Sequence, residues 1–499
     1  MRDLDYYLNT IEEIGYVEKT TNPIVYVSGL PGAKPEELVL FEDKSLGQVL
    51  SLKPDLAEIL IFSNYPPLLG AKVVRTNEFL KMPVGFELLG NVIDPLGKSL
   101  EDIMPLKRQA SSLPIHITPS GILTRKTITK QLETGVSIVD LVLPLGQGQR
   151  ELIIGDRKTG KTNFLLQSVV TQIRQGSICI YAAIGKKKVD IKSLKEFFLS
   201  NNLLKNLVII ASGPESPTGI IYITPFSAMT LAEYFRDEGR NVLLILDDLS
   251  THAKFYREIS LIGKRFPGRN SYPGDIFYTH ARLLERAGNF VTPKGERSIT
   301  CLPVVETIQG DLSGYIETNL MSMTDGHLYF DSDLFAKGRR PAINPFLSVT
   351  RVGRQTQSSL KREINREILS FLTLFEKMQR FIHFGAELSE TTKVTISFGE
   401  GITRFFEQGL SVTIPLNMQI FLFSLLWNNI MQKKSNNELQ DIELIIKVYQ
   451  TNPAIRKKID SIIEKAESFN GLLSVVSKLG DKFLENIKKY DPSINSGSE

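Results

Sequence analysis

Apolar positions change their period along the chain, and those changes mark out its regions. From Pro23 to about Arg75, short β-rich pieces such as Ile24-Val-Tyr-Val27 and Ile59-Leu-Ile-Phe62 alternate with turn residues at Gly29, Pro31, Gly32, Pro54 and Pro66-Pro67. Short strands at this spacing predict a small barrel or sandwich. The polar residues 1 to 22 before it suit either a short helix or an extended arm. From Glu151 onward, apolar runs at 151–154, 178–184, 207–211, 242–247 and 298–305 alternate with helical segments. That alternation predicts a parallel sheet covered by helices. Beyond about Gln355 the period is helical, over 357–382, 397–409, 416–433, 437–450 and 453–490, with Trp427 in a buried core helix and a polar tail from Pro492. The expected division is an arm and barrel over 1–75, a central α/β domain over 76–356 and a helical domain over 357–499.

Composition narrows the class. The chain has 499 residues, 42% hydrophobic and 23% charged, which describes an ordinary globular protein. A net charge of +4 over that length gives no basic stripe, so nucleic acid is not an expected partner. The two cysteines, Cys179 and Cys301, lie in apolar strand-like runs and read as small buried residues of a reducing compartment. Glu12 and Glu13 make the N-terminus too acidic for a transit peptide, and no run of about eighteen apolar residues predicts a membrane span.

One stretch carries chemistry. Gly155-Asp-Arg-Lys-Thr-Gly-Lys-Thr162 follows an apolar strand and opens a helix whose face is Leu165, Leu166, Val169, Val170 and Ile173. Strand, Gly-rich loop and helix in that order form a phosphate-binding loop. Backbone N–H groups of Gly155, Asp156, Arg157, Lys158, Thr159 and Gly160 wrap the phosphates, Lys161 reaches the outer ones, and the Thr162 hydroxyl binds magnesium. A second apolar run, Val242 to Leu246, delivers Asp247 and Asp248 at its carboxyl end, where ligands of open α/β sheets sit. Asp247 is assigned to the magnesium shell and Asp248 to capping the next helix. The expected fold class is thus an α/β P-loop NTPase core of RecA-like kind, with an N-terminal β-barrel and a C-terminal helical domain.

Several blocks then resemble the α subunit of F-type rotary ATPases: Gly148 to Thr162, Leu246-Asp-Asp-Leu-Ser250, Tyr272-Pro-Gly-Asp275, Arg282 to Arg286, Thr324-Asp-Gly326, Arg340-Pro-Ala-Ile-Asn344 and Ser348-Val-Thr-Arg-Val-Gly353. The similarity runs over roughly residues 24 to 410. It implies three such subunits alternating with three catalytic β subunits around a central γ shaft, holding ATP or ADP with Mg2+, in the cytoplasm and reaching the membrane only through partner subunits. It also implies that Arg351 projects into a β subunit's site as an arginine finger, with Ser348 near the same interface. Phe335, Arg340, Pro341 and Gln408 are implied around the adenine. In the family's catalytic subunits a Glu follows the strand after the loop helix and orients the attacking water. Here Gly185-Lys-Lys-Lys188 stands there, with Lys186 at that position, where α subunits normally have Gln. Lys186 contacts a phosphate or belongs to a solvated charge run, but a protonated lysine is no base. Lys158 and Leu410 also replace glutamines usual in the family.

Two other readings accompany this one. A specialised F1-like motor, devoted to work other than ATP synthesis and carrying surface or cytoskeletal partners, fits the short N-terminal arm, which elsewhere docks a peripheral stalk, and the divergent region after Leu410. A self-sufficient hexameric secretion-type ATPase conflicts with the missing Glu.

Overall fold

The computed structural model describes residues 3–101, 111–383, 390–409, 412–430 and 438–488. Leu410 and the tail from Pro492 therefore lie outside the described residues. The chain falls into two compact units, the first made of Met1–Thr127, Gln147–Arg157 and Gln172–His327, the second of Ile128–Gly146, Lys158–Thr171 and Leu328–Glu499.

In the first unit the opening residues become the helix Leu4–Ile11, started by the Asp3 side chain accepting from the Tyr6 N–H. A closed barrel follows, built from β1 (Ile14–Thr21), β2 (Ile24–Ser28), β3 (Glu37–Phe41), β4 (Leu46–Leu52), β5 (Ala57–Ile61) and β6 (Lys72–Phe79). Its order is β1-β2-β5-β4-β3-β6, and β1 pairs with β6 to close the ring and leave no open edge. Val25, Val39, Phe41, Ile59 and Val73 fill the interior. Arg75 is buried there because its Nε lies 3.1 Å from Glu37 and its Nη1 2.7 Å from Glu13, which satisfies a charge that would otherwise be costly to enclose.

The same unit holds a parallel sheet. The strand Glu151–Asp156 pairs with Gly295–Thr307, which pairs with Val242–Asp247; next come Ile178–Ile184 and Leu207–Ser212. A short strand, Val92–Ile93, extends the sheet beside Leu207–Ser212. The five expected runs are these strands, and both cysteines are fully buried in them. At the head of the first, Arg150 grips Asp325 through Nε at 3.1 Å and Nη2 at 2.8 Å, which accounts for the Thr324-Asp-Gly326 block. Behind the sheet Arg286 is 1% exposed; its guanidinium pairs with Glu233 at 3.1 and 2.6 Å and donates to the Ile115 carbonyl at 2.7 Å and the Thr230 hydroxyl at 2.8 Å.

The second unit is helical where helices were expected: Ser359–His383, Glu390–Phe405, Leu416–Trp427, Glu438–Thr451, Pro453–Lys465 and Phe469–Lys488. The run 453–490 is two helices, because Ala466 is extended and ends the first. Trp427 closes an aromatic cluster, 5.4 Å from Phe398, 5.4 Å from Phe423 and 5.7 Å from Phe469. No helix among the described residues is long and apolar enough to cross a membrane.

Removing one partner of a buried ion pair leaves the other charge uncompensated. Glu233→Ala is expected to lower the unfolding free energy by about 3 to 5 kcal/mol, and the double substitution Glu233→Leu with Arg286→Met by clearly less. Urea denaturation followed by circular dichroism checks both.

Candidate nucleotide site

The loop begins in the first unit. At the end of the strand Glu151–Asp156, Asp156 Oδ1 accepts from the Thr307 hydroxyl at 2.5 Å and from the Gly310 N–H at 2.9 Å, which holds the strand end in place. Arg157 lies on the surface, its Nε 3.0 Å from Glu306. In the second unit Lys158 has φ of 63° and Gly160 φ of 96°. Left-handed residues in such a loop turn successive N–H groups toward one point, as anion sites require. A Cβ on Gly160 would meet nothing within 4 Å, so the demand for glycine there is conformational. Thr159 and Lys161 are buried, Thr162 is exposed, and the helix Lys161–Arg174 starts directly after the loop.

The acidic end of the sheet is more occupied than its sequence suggests. Asp247 Oδ2 accepts from the Tyr181 hydroxyl at 2.6 Å, and Oδ1 lies 2.8 Å from Lys186 Nζ. The same ammonium is 3.6 Å from Asp248 Oδ2. Burial alone works against the charge on Lys186, but the carboxylates of Asp247 and then Asp248 outweigh it and hold its pKa above the ordinary lysine value. Burial first, and then Asp247, push the Tyr181 phenol well above its usual range, so it stays a donor. Asp248 caps the helix Leu249–Ile262, its Oδ1 2.5 Å from the Thr251 N–H. A solvated charge run describes Lys187 and Lys188, which are exposed, and not Lys186.

Magnesium fits these residues unevenly. Thr162 occupies an exposed place in the first helical turn, as a metal-binding hydroxyl would. Asp247 as it stands does not fit, since each of its oxygens already receives a protein donor and one of those donors is a cation.

In the second unit the residues expected around the base do gather. The Arg340 guanidinium lies 3.5 Å from the centre of the Phe335 ring and donates to the Phe335 carbonyl at 2.8 Å. The Gln408 N–H donates to the Arg340 carbonyl at 2.8 Å, beside Pro341. The Gln408 side chain, however, is buried and engaged: Oε1 accepts from the Ser137 N–H at 2.6 Å, and Nε2 donates to the Gly135 carbonyl at 2.9 Å and the Val412 carbonyl at 3.2 Å. Its amide ties the backbone of Gly135 and Ser137 to that of Val412.

Ser348 and Arg351 part company. The Ser348 hydroxyl is buried, donates to the Asn344 carbonyl at 2.7 Å and accepts from the Tyr329 N–H at 2.9 Å. It is a structural residue of the segment that carries Arg351. Thr350 anchors the same segment on the Pro144 carbonyl at 2.8 Å, and a Cβ on Gly353 would fall 1.6 Å from that oxygen. Arg351 is exposed and has no hydrogen-bond or ion-pair partner among the described residues.

A barrel, a parallel sheet with a phosphate loop at its strand end, and a helical C-terminal region define a nucleotide-binding protein of the P-loop α/β class. The model described as "ATP synthase alpha/beta family, nucleotide-binding domain" matches residues 135–350, and that described as "ATP synthase alpha/beta chain, C terminal domain" matches 357–478. The chain is 38% identical over 431 residues to the ATP synthase subunit alpha of Neorickettsia sennetsu, covering 85% of this chain and 84% of that one. It is 39% identical over 419 residues to the corresponding subunit of Dictyoglomus turgidum, covering 83% and 82%, and 38% identical over 421 residues to that of Limosilactobacillus fermentum, covering 84% and 82%. The chain belongs to the ATP synthase alpha/beta family, among its alpha subunits. The divergent region after Leu410 stays within the family, since the C-terminal match runs on to residue 478.

Because the Gln408 amide holds backbone, Gln408→Ala is expected to lower the thermal midpoint of the nucleotide-free chain by roughly 5 °C, from about 2 kcal/mol of lost hydrogen bonding. Differential scanning calorimetry without nucleotide is the measurement; a side chain serving only the base would leave that midpoint in place.

Proposed function

We propose that this chain is the non-catalytic, nucleotide-holding member of an alternating ring with catalytic β-type subunits around a γ-type shaft. The observation that carries the reading is Lys186: at the position where the catalytic subunits present a water-orienting carboxylate, this chain presents an ammonium paired with Asp247. ATP or ADP would lie on the loop Gly155 to Thr162, with Lys161 toward the outer phosphates and the Phe335, Arg340 and Pro341 group toward the base. Magnesium, arriving with the nucleotide, would draw on the Thr162 hydroxyl and the outer phosphates and would supply charge neutralisation there; the acid at Asp247 already faces Lys186.

The chain's contribution to chemistry would then be made next door. Arg351 is exposed, unpaired among the described residues, and set on a segment pinned by Ser348, Thr350 and Gly353. A guanidinium held in this way suits an arginine finger, since its fixed donors match the equatorial oxygens of a transferring phosphoryl group. Any approach to a membrane would come through the partner subunits.

The isolated chain is expected to show essentially no ATPase activity. In a reconstituted ring, Arg351→Ala is expected to lower steady-state hydrolysis by about 10³-fold or more while the ring still assembles. Phosphate release by the purified ring, with size-exclusion chromatography for assembly, checks both; near-normal turnover in the variant would remove the finger role. Gly353→Ala, which drives a methyl group into the Pro144 carbonyl, is expected to lower ring turnover at least tenfold by misplacing Arg351, the factor that a small displacement of a positioning group costs.

A further inference from the structure

In this chain the cation against Asp247 is a side chain of the protein itself. Three features fix it there. Ala183 stands opposite Asp247 in the parallel pairing of Ile178–Ile184 with Val242–Asp247, so the residues after Ile184 emerge at the same end of the sheet as the acid. Gly185, at φ of 63°, turns the chain at once; a Cβ on it would lie 2.7 Å from the Thr251 methyl group. The Lys186 N–H then donates to the Ser212 carbonyl at 3.0 Å, which anchors the backbone while the side chain, 23% exposed, reaches back to Asp247 and Asp248.

An aspartate at this place in a phosphate-loop protein accepts hydrogen bonds from the hydration shell of the metal. Here the carboxylate that such a shell would meet already faces a protein cation. Oδ2 takes the Tyr181 hydroxyl and Oδ1 the ammonium, and a dication drawn to the same carboxylate would face an ammonium 2.8 Å from it. The Glu306 carboxylate is paired with Arg157, at 3.0 Å.

Building on the reading that this chain holds a nucleotide on its loop, we propose that Lys186 is the resident cation of the site and makes nucleotide retention here largely independent of magnesium. The role is one of specificity: Lys186 decides which charged form of the nucleotide the site accepts, free or metal-bound. A lysine that left Asp247 on nucleotide binding would restore ordinary metal dependence, so the two behaviours separate.

Isothermal titration calorimetry of the full-length chain with ATP, in excess magnesium and in EDTA, tests this. The wild-type dissociation constant is expected to change by less than about threefold between the two buffers, and that of Lys186→Gln, which removes the charge but keeps a donor for Asp247, to weaken about thirtyfold or more in EDTA. Lys186→Arg, which keeps the charge, is expected to follow the wild type. A wild-type chain that weakens tenfold or more in EDTA overturns the inference and leaves the nucleotide-holding reading standing. Magnesium independence that persists in Lys186→Gln also overturns it, because another group would then be responsible. Absence of binding in both buffers overturns the nucleotide-holding reading, and the inference with it.

Discussion

The Asp247 carboxylate is the constraint around which the site is arranged. It sits at the end of a strand whose every other residue is apolar and buried, so its charge has to be met by groups delivered by neighbouring strands. Tyr181 comes from the middle of the adjacent strand and Lys186 from the turn just past that strand's end. Both depend on the parallel pairing of the two strands and on the sharp turn at Gly185. The next residue, Asp248, opens the following helix, so one pair of acids terminates a strand, starts a helix and places a positive charge.

On the proposed reading, that arrangement separates holding a nucleotide from cleaving it. A site that orients water needs a carboxylate able to accept a proton or a hydrogen bond from that water, and the side chain at the corresponding place here is a donor with no acceptor capacity. The second unit makes the complementary provision. Arg351 is exposed and without a hydrogen-bond or ion-pair partner among the described residues, while the residues around it are engaged, Ser348 with Asn344 and Tyr329, Thr350 with Pro144. A long cationic side chain gains reach from being unpaired and precision from a backbone that is pinned, and the segment supplies both conditions.

Much of this was legible in the chain before it was folded. The five runs are strands buried on both faces, which keeps them predominantly apolar and leaves their few polar residues, such as Glu151 and Thr300, buried as well. The helical periods after Gln355 are helices, and the loop at Gly155 to Thr162 lies between the strand and helix that its spacing requires. Less legible were elements whose partners are distant in sequence. Val92–Ile93 is too short to show a period and becomes a strand only because Leu207–Ser212 leaves it an edge. Gln408 reads as a polar group available to a base, yet its amide is held by the backbone of Gly135 and Ser137, far from it along the chain, and of Val412 close by. A tyrosine inside an otherwise apolar strand was the one available sign that Asp247 had a partner, since a buried phenol hydroxyl seeks one.

The sequence by itself determined the elements and the chemistry they bring, because hydrophobic period, loop spacing and residue type are local properties. It showed a phosphate loop, a missing carboxylate at residue 186 and an arginine in the Ser-Val-Thr-Arg block. Only the tertiary structure decided what the lysine in place of that carboxylate does. Its partner lies 61 residues away and meets it through strand register and one left-handed glycine, which no pattern of neighbours along the chain encodes.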